Sequence, residues 1–289
     1  MIQNTSTTDH IVVTLLGTGV PTPNVDRRGA SLIIKLGQNI VMVDCGAGAL
    51  YRLLESGADV HAISHVLLTH LHSDHITGLT DFLWAGWVGH WWTTEPPVII
   101  GPAGTAEFIE RLLGAFHEDI QLRSQEGATN RVGITPKIVE VSDGWIFKYG
   151  QWQMSAIGVD HRPVKDALGF RFDYAGRSVV VSGDTKKCDN LILHARDADL
   201  LIHEVVWGEG MRNAISKAQM PQRARLERIF SYHTPSIEVG EIANLANVKH
   251  LVLTHLILAG GTPGDLVADV QQSFSGHVTV GEDLASFTI

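Results

Sequence analysis

The chain has 289 residues, 44% hydrophobic and 18% charged, which is enough apolar material for a large core and a poor composition for disorder or a coiled coil. Net charge is −9, from 22 Lys and Arg against 31 Asp and Glu, so the composition lacks the basic excess of a protein that grips nucleic-acid backbone. No apolar run reaches the ~18 residues of a membrane span, Met1 to His10 carries no Lys or Arg to open a signal peptide, and Cys45 and Cys188 are too few for a disulfide framework. The expectation is a soluble, cytoplasmic protein with no membrane partner.

Without a linker rich in Pro, Gly or Ser, and without a repeat, residues 1–289 read as a single domain. Short β-rich runs come first: Ile11–Leu16, then Ser31–Leu36 and Asn39–Asp44, close enough for a hairpin across Gly37-Gln38. Ser64–Thr69 is an apolar strand ending in a polar cluster. Phe82 to Trp92 holds five aromatic residues, with Trp84, Trp87 and Trp91 expected on one helical face as core, homodimer contact or substrate wall. Ala106–Phe116 has apolar residues at helical spacing. Strands are predicted at Gln153–Val159, Gly169–Tyr174, Ser178–Ser182, Leu200–His203, His250–Thr254 and His277–Val280. Thr234-Pro235 and Thr262-Pro263 each read as an N-cap with Pro at the first helical position, opening helices through about Asn247 and over Asp265–Phe274. Strands and helices alternate throughout, which argues for a layered α/β or α+β domain.

Histidine is abundant, at 15 residues. The strand at Ile63–Thr69 runs directly into His70-Leu71-His72-Ser73-Asp74-His75, four metal-binding side chains within six residues. On a loop after a strand, His70 and His72 can converge on one ion while Asp74 and His75 turn toward a second, and imidazole nitrogen with carboxylate oxygen is a ligand set that zinc accepts. His161, Asp184 and His255 each follow an apolar run, so a sheet could carry all three to one edge.

This pattern, His70-X-His72-X-Asp74-His75 followed by His161, Asp184 and His255, resembles the ligand set of the metallo-β-lactamase-fold hydrolases. The likeness runs from Leu16-Gly17-Thr18-Gly19 and Val43-Asp44-Cys45-Gly46 to Leu253-Thr254-His255. It implies a four-layer αββα sandwich with two metals, usually zinc, at the open edge of two sheets. By resemblance, His70, His72 and His161 hold one metal, Asp74, His75 and His255 the other, and Asp184 bridges them. Manganese or iron would also bind such donors.

Two zinc ions lower the pKa of a shared water and neutralise charge in the transition state. Asp74 could orient the attacking hydroxide as well as bind metal. Glu204, in Ile202-His203-Glu204-Val205, and His233, in Tyr232-His233-Thr234-Pro235, match segments of the ribonuclease Z and arylsulfatase-like branch, which makes His233 the expected general acid and Glu204 its orienting partner. Asp44 is read either as a partner of a ligand imidazole or as a turn carboxylate.

Ile100-Gly101-Pro102-Ala103-Gly104 and Ser182-Gly183-Asp184-Thr185 resemble the arylsulfatase-like branch most broadly. Asp184 follows His161 by 23 positions, too few for the long tRNA-gripping arm that a resemblance to ribonuclease Z would imply there, and with the net charge this places a small anionic ester, a phosphate diester or aryl sulfate, ahead of tRNA as the expected substrate. Ribonuclease Z-type tRNA 3' processing, lactonase or β-lactamase chemistry, and a metal-bearing sensor without turnover are the alternatives. Glu209–Phe230 carries Arg212, Lys217, Arg223, Arg225 and Arg228 and is either a solvated helix face or a lid for an anionic substrate.

Overall fold

The computed structural model describes residues 10–92, 95–125 and 130–289. Residues 1–9, on which most of the leader expectation falls, lie outside them. Along the chain, the strands are β1 (Ile11–Gly17), β2 (Ser31–Leu36), β3 (Asn39–Val43), β4 (Ile63–Leu67), β5 (Val98–Gly101), β6 (Ile138–Glu140), β7 (Ile146–Tyr149), β8 (Trp152–Gly158), β9 (Leu168–Tyr174), β10 (Arg177–Val181), β11 (Leu200–Val206), β12 (His250–Ile257), β13 (His277–Val280) and β14 (Ser286–Thr288). The α-helices are α1 (Ala49–Glu55), α2 (Ser73–Ile76), α3 (Leu79–Val88), α4 (Thr105–Ala115), α5 (His117–Gln125), α6 (Asp189–His194), α7 (Gly208–Lys217), α8 (Gln222–Tyr232), α9 (Ser236–Leu245) and α10 (Pro263–Val270).

Among the described residues the strands form two mixed sheets of seven, in the orders β14-β1-β2-β3-β4-β5-β6 and β13-β12-β11-β10-β9-β8-β7. Strand alternation assigns the two faces of each sheet to different cores. In β2, Leu32, Ile34 and Leu36 enter the sandwich interior, where they join Phe170 and Phe172 of β9, while Ile33 faces outward with Leu53 of α1 and Phe82 of α3. In the second sheet, Leu200 and Ile202 point inward, and Leu201, Leu251 and Leu253 face Val239 and Ile242 of α9 and Leu266 of α10. Both faces of each sheet are therefore covered, and the architecture is the expected αββα sandwich.

The hairpin across Gly37-Gln38 forms, with Leu36 opposite Asn39 and Gly37 at φ 64. The capping box of Thr262 and Asp265 opens α10 as its sequence predicts. Thr234, by contrast, does not cap α9: its hydroxyl donates to the Thr185 carbonyl and its N–H to Glu204. Helix α9 begins at Ser236, after Pro235. Functional hydrogen bonding overrides the local cap signal there.

The aromatic run also departs from expectation. Helix α3 ends at Val88, so Trp91 lies beyond it and cannot share its face with Trp84 and Trp87. Trp87 is buried and donates to the Asn130 carbonyl, and Trp84 donates to Asp119. These indoles pack in the helical layer on the outer face of the first sheet, away from the cleft described below.

Strands β10, β11 and β12 are parallel neighbours, with Val181 beside Ile202 and Glu204 beside Thr254. Their carboxyl ends consequently share one edge. The first sheet meets that edge where the Leu168 N–H donates to the Thr69 carbonyl at 2.8 Å, and everything of chemical interest converges there.

Candidate metal centre and active site

His70 and His72 lie on the turn that follows β4, and Asp74 and His75 on the single turn of α2. This turn sits tightly against the loop after β3. A Cβ on Gly46 would stand 2.2 Å from the Asp74 carbonyl oxygen and one on Gly78 2.2 Å from the Gly46 carbonyl oxygen, so only glycine allows the approach. His161 follows β8, and Asp184 follows β10 after Gly183, whose φ is 61. His255 sits at a register shift between β11 and β12 with φ 45. Such a bulge re-aims a side chain that regular pleating would direct elsewhere.

These seven side chains form two groups. The donor atoms of His70, His72, His161 and Asp184 lie within 4.8 Å of one another, as do those of Asp74, His75 and His255. Asp184 Oδ2 stands between the groups, 3.9 Å from His70 Nε2, 4.0 Å from His161 Nε2, 3.4 Å from His75 Nε2 and 3.5 Å from His255 Nε2.

The surroundings fix which ring nitrogens face inward. Asp44 accepts the Thr69 N–H, the Thr69 hydroxyl and His75 Nδ1, each at 2.8 Å. His161 Nδ1 donates to the Tyr232 carbonyl at 3.0 Å. With those protons on Nδ1, the Nε2 lone pairs of His75 and His161 are turned to the centre. His70 Nε2 and His75 Nε2 are buried without a hydrogen-bond partner, which costs stability unless a cation takes the lone pairs.

The electrostatics agree with the geometry. Burial, reinforced by His75, holds His70 well below the usual histidine pKa, and burial also lowers His72 and His161, so these rings are neutral donors. Asp184 is buried, yet His255 and His75 hold its carboxyl well below the usual range. His75 is drawn upward despite its burial by Asp184 and Asp44. A site that draws positive charge and presents neutral imidazoles with ionised carboxylates fits divalent metal.

Beside this centre, His233 Nδ1 lies 3.1 Å from Glu204 Oε1. The same oxygen accepts the Thr185 N–H at 3.2 Å and the Thr234 N–H at 3.1 Å. Burial disfavours charge on His233, but Glu204 more than offsets this and its pKa is pushed up to about 9. The ring stacks on His255 with centroids 5.3 Å apart, and donor atoms of His233, His255 and Asp184 lie within 4.8 Å. A third metal-like grouping is thus present, and in it the Glu204 carboxylate favours the protonated His233 ring.

All of this opens into a cleft of about 560 Å3, walled by His72, Asp74, His161 and His233, by Val20 and Pro21 from the loop after β1, and by Arg225, Arg228 and Tyr232 of α8. Helices α7 and α8 occupy the segment expected as a lid or solvated face. Arg223 is not among the residues lining the cleft and is bonded to Glu227 at 2.9 Å.

Two positions that shape the site, Tyr232 and Asp283, are not singled out by the sequence. Tyr232 supplies a carbonyl to His161 and a ring to the cleft wall. Asp283, near the carboxyl end, accepts from the Thr18 N–H and hydroxyl, the Arg28 N–H and Arg52 Nε, and so pins the loop between β1 and β2. Only the spacing of Thr18, Arg28 and Arg52 around a common carboxylate in three dimensions marks Asp283.

The sandwich, with its paired His and Asp groups at the sheet edge, defines a metallo-β-lactamase-fold metal-dependent hydrolase with a two-metal site. The family model described as "Anti-Pycsar protein Apyc1" matches residues 11–233, and the chain belongs to that family, within the ribonuclease Z-like branch of the fold. A curated relative, ribonuclease Z of Mycobacterium bovis (strain BCG / Pasteur 1173P2), is 40% identical over 282 residues, covering 94% of this chain and 96% of that protein. Among solved structures, the metallo-β-lactamase-fold protein YhfI from Bacillus subtilis superposes with a TM-score of 0.75 at 21% identity, covering 97% of this chain and 100% of the other. The short form of human tRNase Z (ELAC1) gives 0.69 at 22%, covering 96% and 98%. At these identities the two structures bear on the fold alone.

The ranking of tRNA below small esters is corrected by the mycobacterial relative. A protein of nearly the same extent, aligned from end to end, carries the name ribonuclease Z. The interval between His161 and Asp184 does hold only the β9–β10 hairpin, with Tyr174 paired to Arg177, yet the relative named ribonuclease Z matches over 94% of this chain and 96% of its own length. Net charge misleads because it is a whole-chain sum, whereas contact with RNA depends on local surface. Among the described residues, no helix is long and apolar enough to cross a membrane.

Proposed function

We propose that this protein is a ribonuclease Z-type endonuclease that hydrolyses a phosphodiester at the 3' side of tRNA precursors. The observation that carries the reading is the buried His233–Glu204 pair beside the two-metal ligand set, since cleavage of an RNA backbone expels a ribose oxygen that must be protonated. The name and 40% identity of the mycobacterial relative support the same substrate. In this reading the whole chain acts as one catalytic domain in the cytoplasm, where the free thiols of Cys45 and Cys188 stay reduced.

Zinc suits the donors: His70, His72 and His161 would hold one ion and Asp74, His75 and His255 the second, with Asp184 available to both, and two such ions would supply Lewis acidity and lower the pKa of a water. The chain's own groups do the remaining work. Asp74 accepts a proton from the attacking water and orients it toward phosphorus. As the new P–O bond forms and the bond to the ribose oxygen breaks, His233 gives its Nε2 proton to that oxygen. Glu204, held by two backbone N–H groups, keeps Nδ1 of His233 protonated and the ring aimed.

The test is cleavage of a precursor tRNA carrying a 3' trailer by metal-quantified protein, beside an aryl sulfate. Chelator-sensitive cleavage at the trailer junction, with little turnover of the sulfate, is expected. Sulfate turnover without RNA cleavage would overturn the reading.

A further inference from the structure

The cleft has a basic wall that the cleavage chemistry does not use. Arg225, Arg228, Ile229 and Tyr232 all line it, and their spacing of three, four and seven residues is that of one face of α8. Arg223, two positions before Arg225, lies off this face and is paired with Glu227. Arg225 and Arg228 make no ion pair with a carboxylate among the described residues. In a chain of net charge −9, two guanidiniums left without a carboxylate, on the wall that also carries Asp74 and His233, are a specific arrangement.

Tyr232 ties this wall to the reacting centre. Its ring packs edge-on to His161 with centroids 4.9 Å apart and lies 5.0 Å from that of His233. Tyr232 lines the same cleft wall as Arg225 and Arg228, so one side chain touches both His161 and the face that carries the arginine pair.

A single-phosphate ester has its only anion at the metal ligands. An RNA strand brings a second phosphate within one nucleotide of the first, and arginine is the side chain whose planar donors match phosphate oxygens. We infer that Arg225 and Arg228 form a subsite for the phosphate next to the scissile one, so that α8 selects an oligonucleotide over a small diester. The inference deepens the proposed function and rests on that reading. The pair holds substrate and takes no part in bond cleavage.

The experiment measures binding of a fluorescein-labelled, cleavage-resistant 2'-O-methyl phosphorothioate hexanucleotide by anisotropy, together with KM for bis(p-nitrophenyl) phosphate. Proteins compared are the metal-loaded wild type, Arg225→Ala/Arg228→Ala, Arg225→Lys/Arg228→Lys and Arg223→Ala. The double alanine variant should bind the hexanucleotide about 10–100-fold more weakly, as expected for lost charge-assisted bonds. That loss should exceed any change in KM for the diester. The slope of log affinity against log salt should fall by about 0.7, the share of one single-strand phosphate. The lysine variant should recover part of the binding, and Arg223→Ala should match the wild type. Equal losses for hexanucleotide and diester, an unchanged salt slope, or a loss as large in Arg223→Ala would overturn the subsite. Failure of the proposed function reads out separately, as tight hexanucleotide binding by a wild type that does not cleave precursor tRNA.

Discussion

Glu204 Oε1 accepts His233 Nδ1 at 3.1 Å while also accepting the backbone N–H groups of Thr185 and Thr234. The carboxylate is thus fixed from two loops, and the imidazole it holds stands beside the candidate metal ligands Asp184 and His255. Replacing His233 by Ala should lower kcat on an RNA substrate by about 10²–10⁴-fold while bound metal, read by elemental analysis, stays at the wild-type level. Loss of metal in the variant would instead make His233 a ligand.

If His233 is the proton donor, the same pair should set the alkaline limb of the pH profile. His233 has its pKa raised to about 9 by Glu204 against the cost of burial, so its acid form is complete below about 6.5, the unperturbed value, and is lost as pH rises through the folded pKa. Cations bound at the adjacent ligands push that pKa down, which puts the limb in kcat at or below pH 9. In Glu204→Gln it should move to lower pH, because the neutral amide no longer favours imidazolium. A limb that stays in place would mean another group is titrating.

Asp44 acts through His75. It fixes the Nδ1–H tautomer and holds Thr69 at the end of β4. Asp44→Ala should weaken retention of the metal proposed for Asp74, His75 and His255 by about 10–100-fold, the usual cost of losing a carboxylate behind a ligand imidazole. Competition against a chromogenic chelator measures it.

Gly46 makes a purely steric prediction. A methyl group there meets the Asp74 carbonyl oxygen at 2.2 Å, so Gly46→Ala should destabilise the fold by about 1–3 kcal/mol and displace Asp74. Lower thermal stability together with reduced metal content should follow. Gly114, which has nothing within 4 Å, supplies the control substitution to Ala.

Metal removal should lower stability as well as activity. His70 Nε2 and His75 Nε2 are buried without a hydrogen-bond partner, and metal ions that bind only the folded state would stabilise it by mass action. Dialysis against a chelator should lower Tm, and titration back with zinc should restore it in two steps if the two groups differ in affinity.

Much of the fold and centre is legible in the sequence because the signals are local. Alternating apolar runs give β1, β2 and β3 to within a residue or so, and the His70–His75 cluster marks itself. His161, Asp184 and His255 are readable because each ends an apolar run, and parallel pairing of β10, β11 and β12 turns that sequence position into a shared edge. What escapes is set by tertiary contacts. The bulge that turns His255, the carbonyl of Tyr232 and the hub at Asp283 have no local pattern. The basic wall of α8 is hidden for a related reason, since helical phase alone separates Arg225 and Arg228 from Arg223, and whole-chain charge averages them away.

The most direct test of the account replaces the leaving ribose oxygen of the RNA substrate by sulfur, because a thiolate departs without protonation. With the oxygen ester, His233→Ala should be slower than wild type by about 10²–10⁴-fold; with the 3'-bridging phosphorothiolate the two proteins should react at nearly the same rate. An equal defect on both substrates would contradict the assignment of His233 as the proton donor.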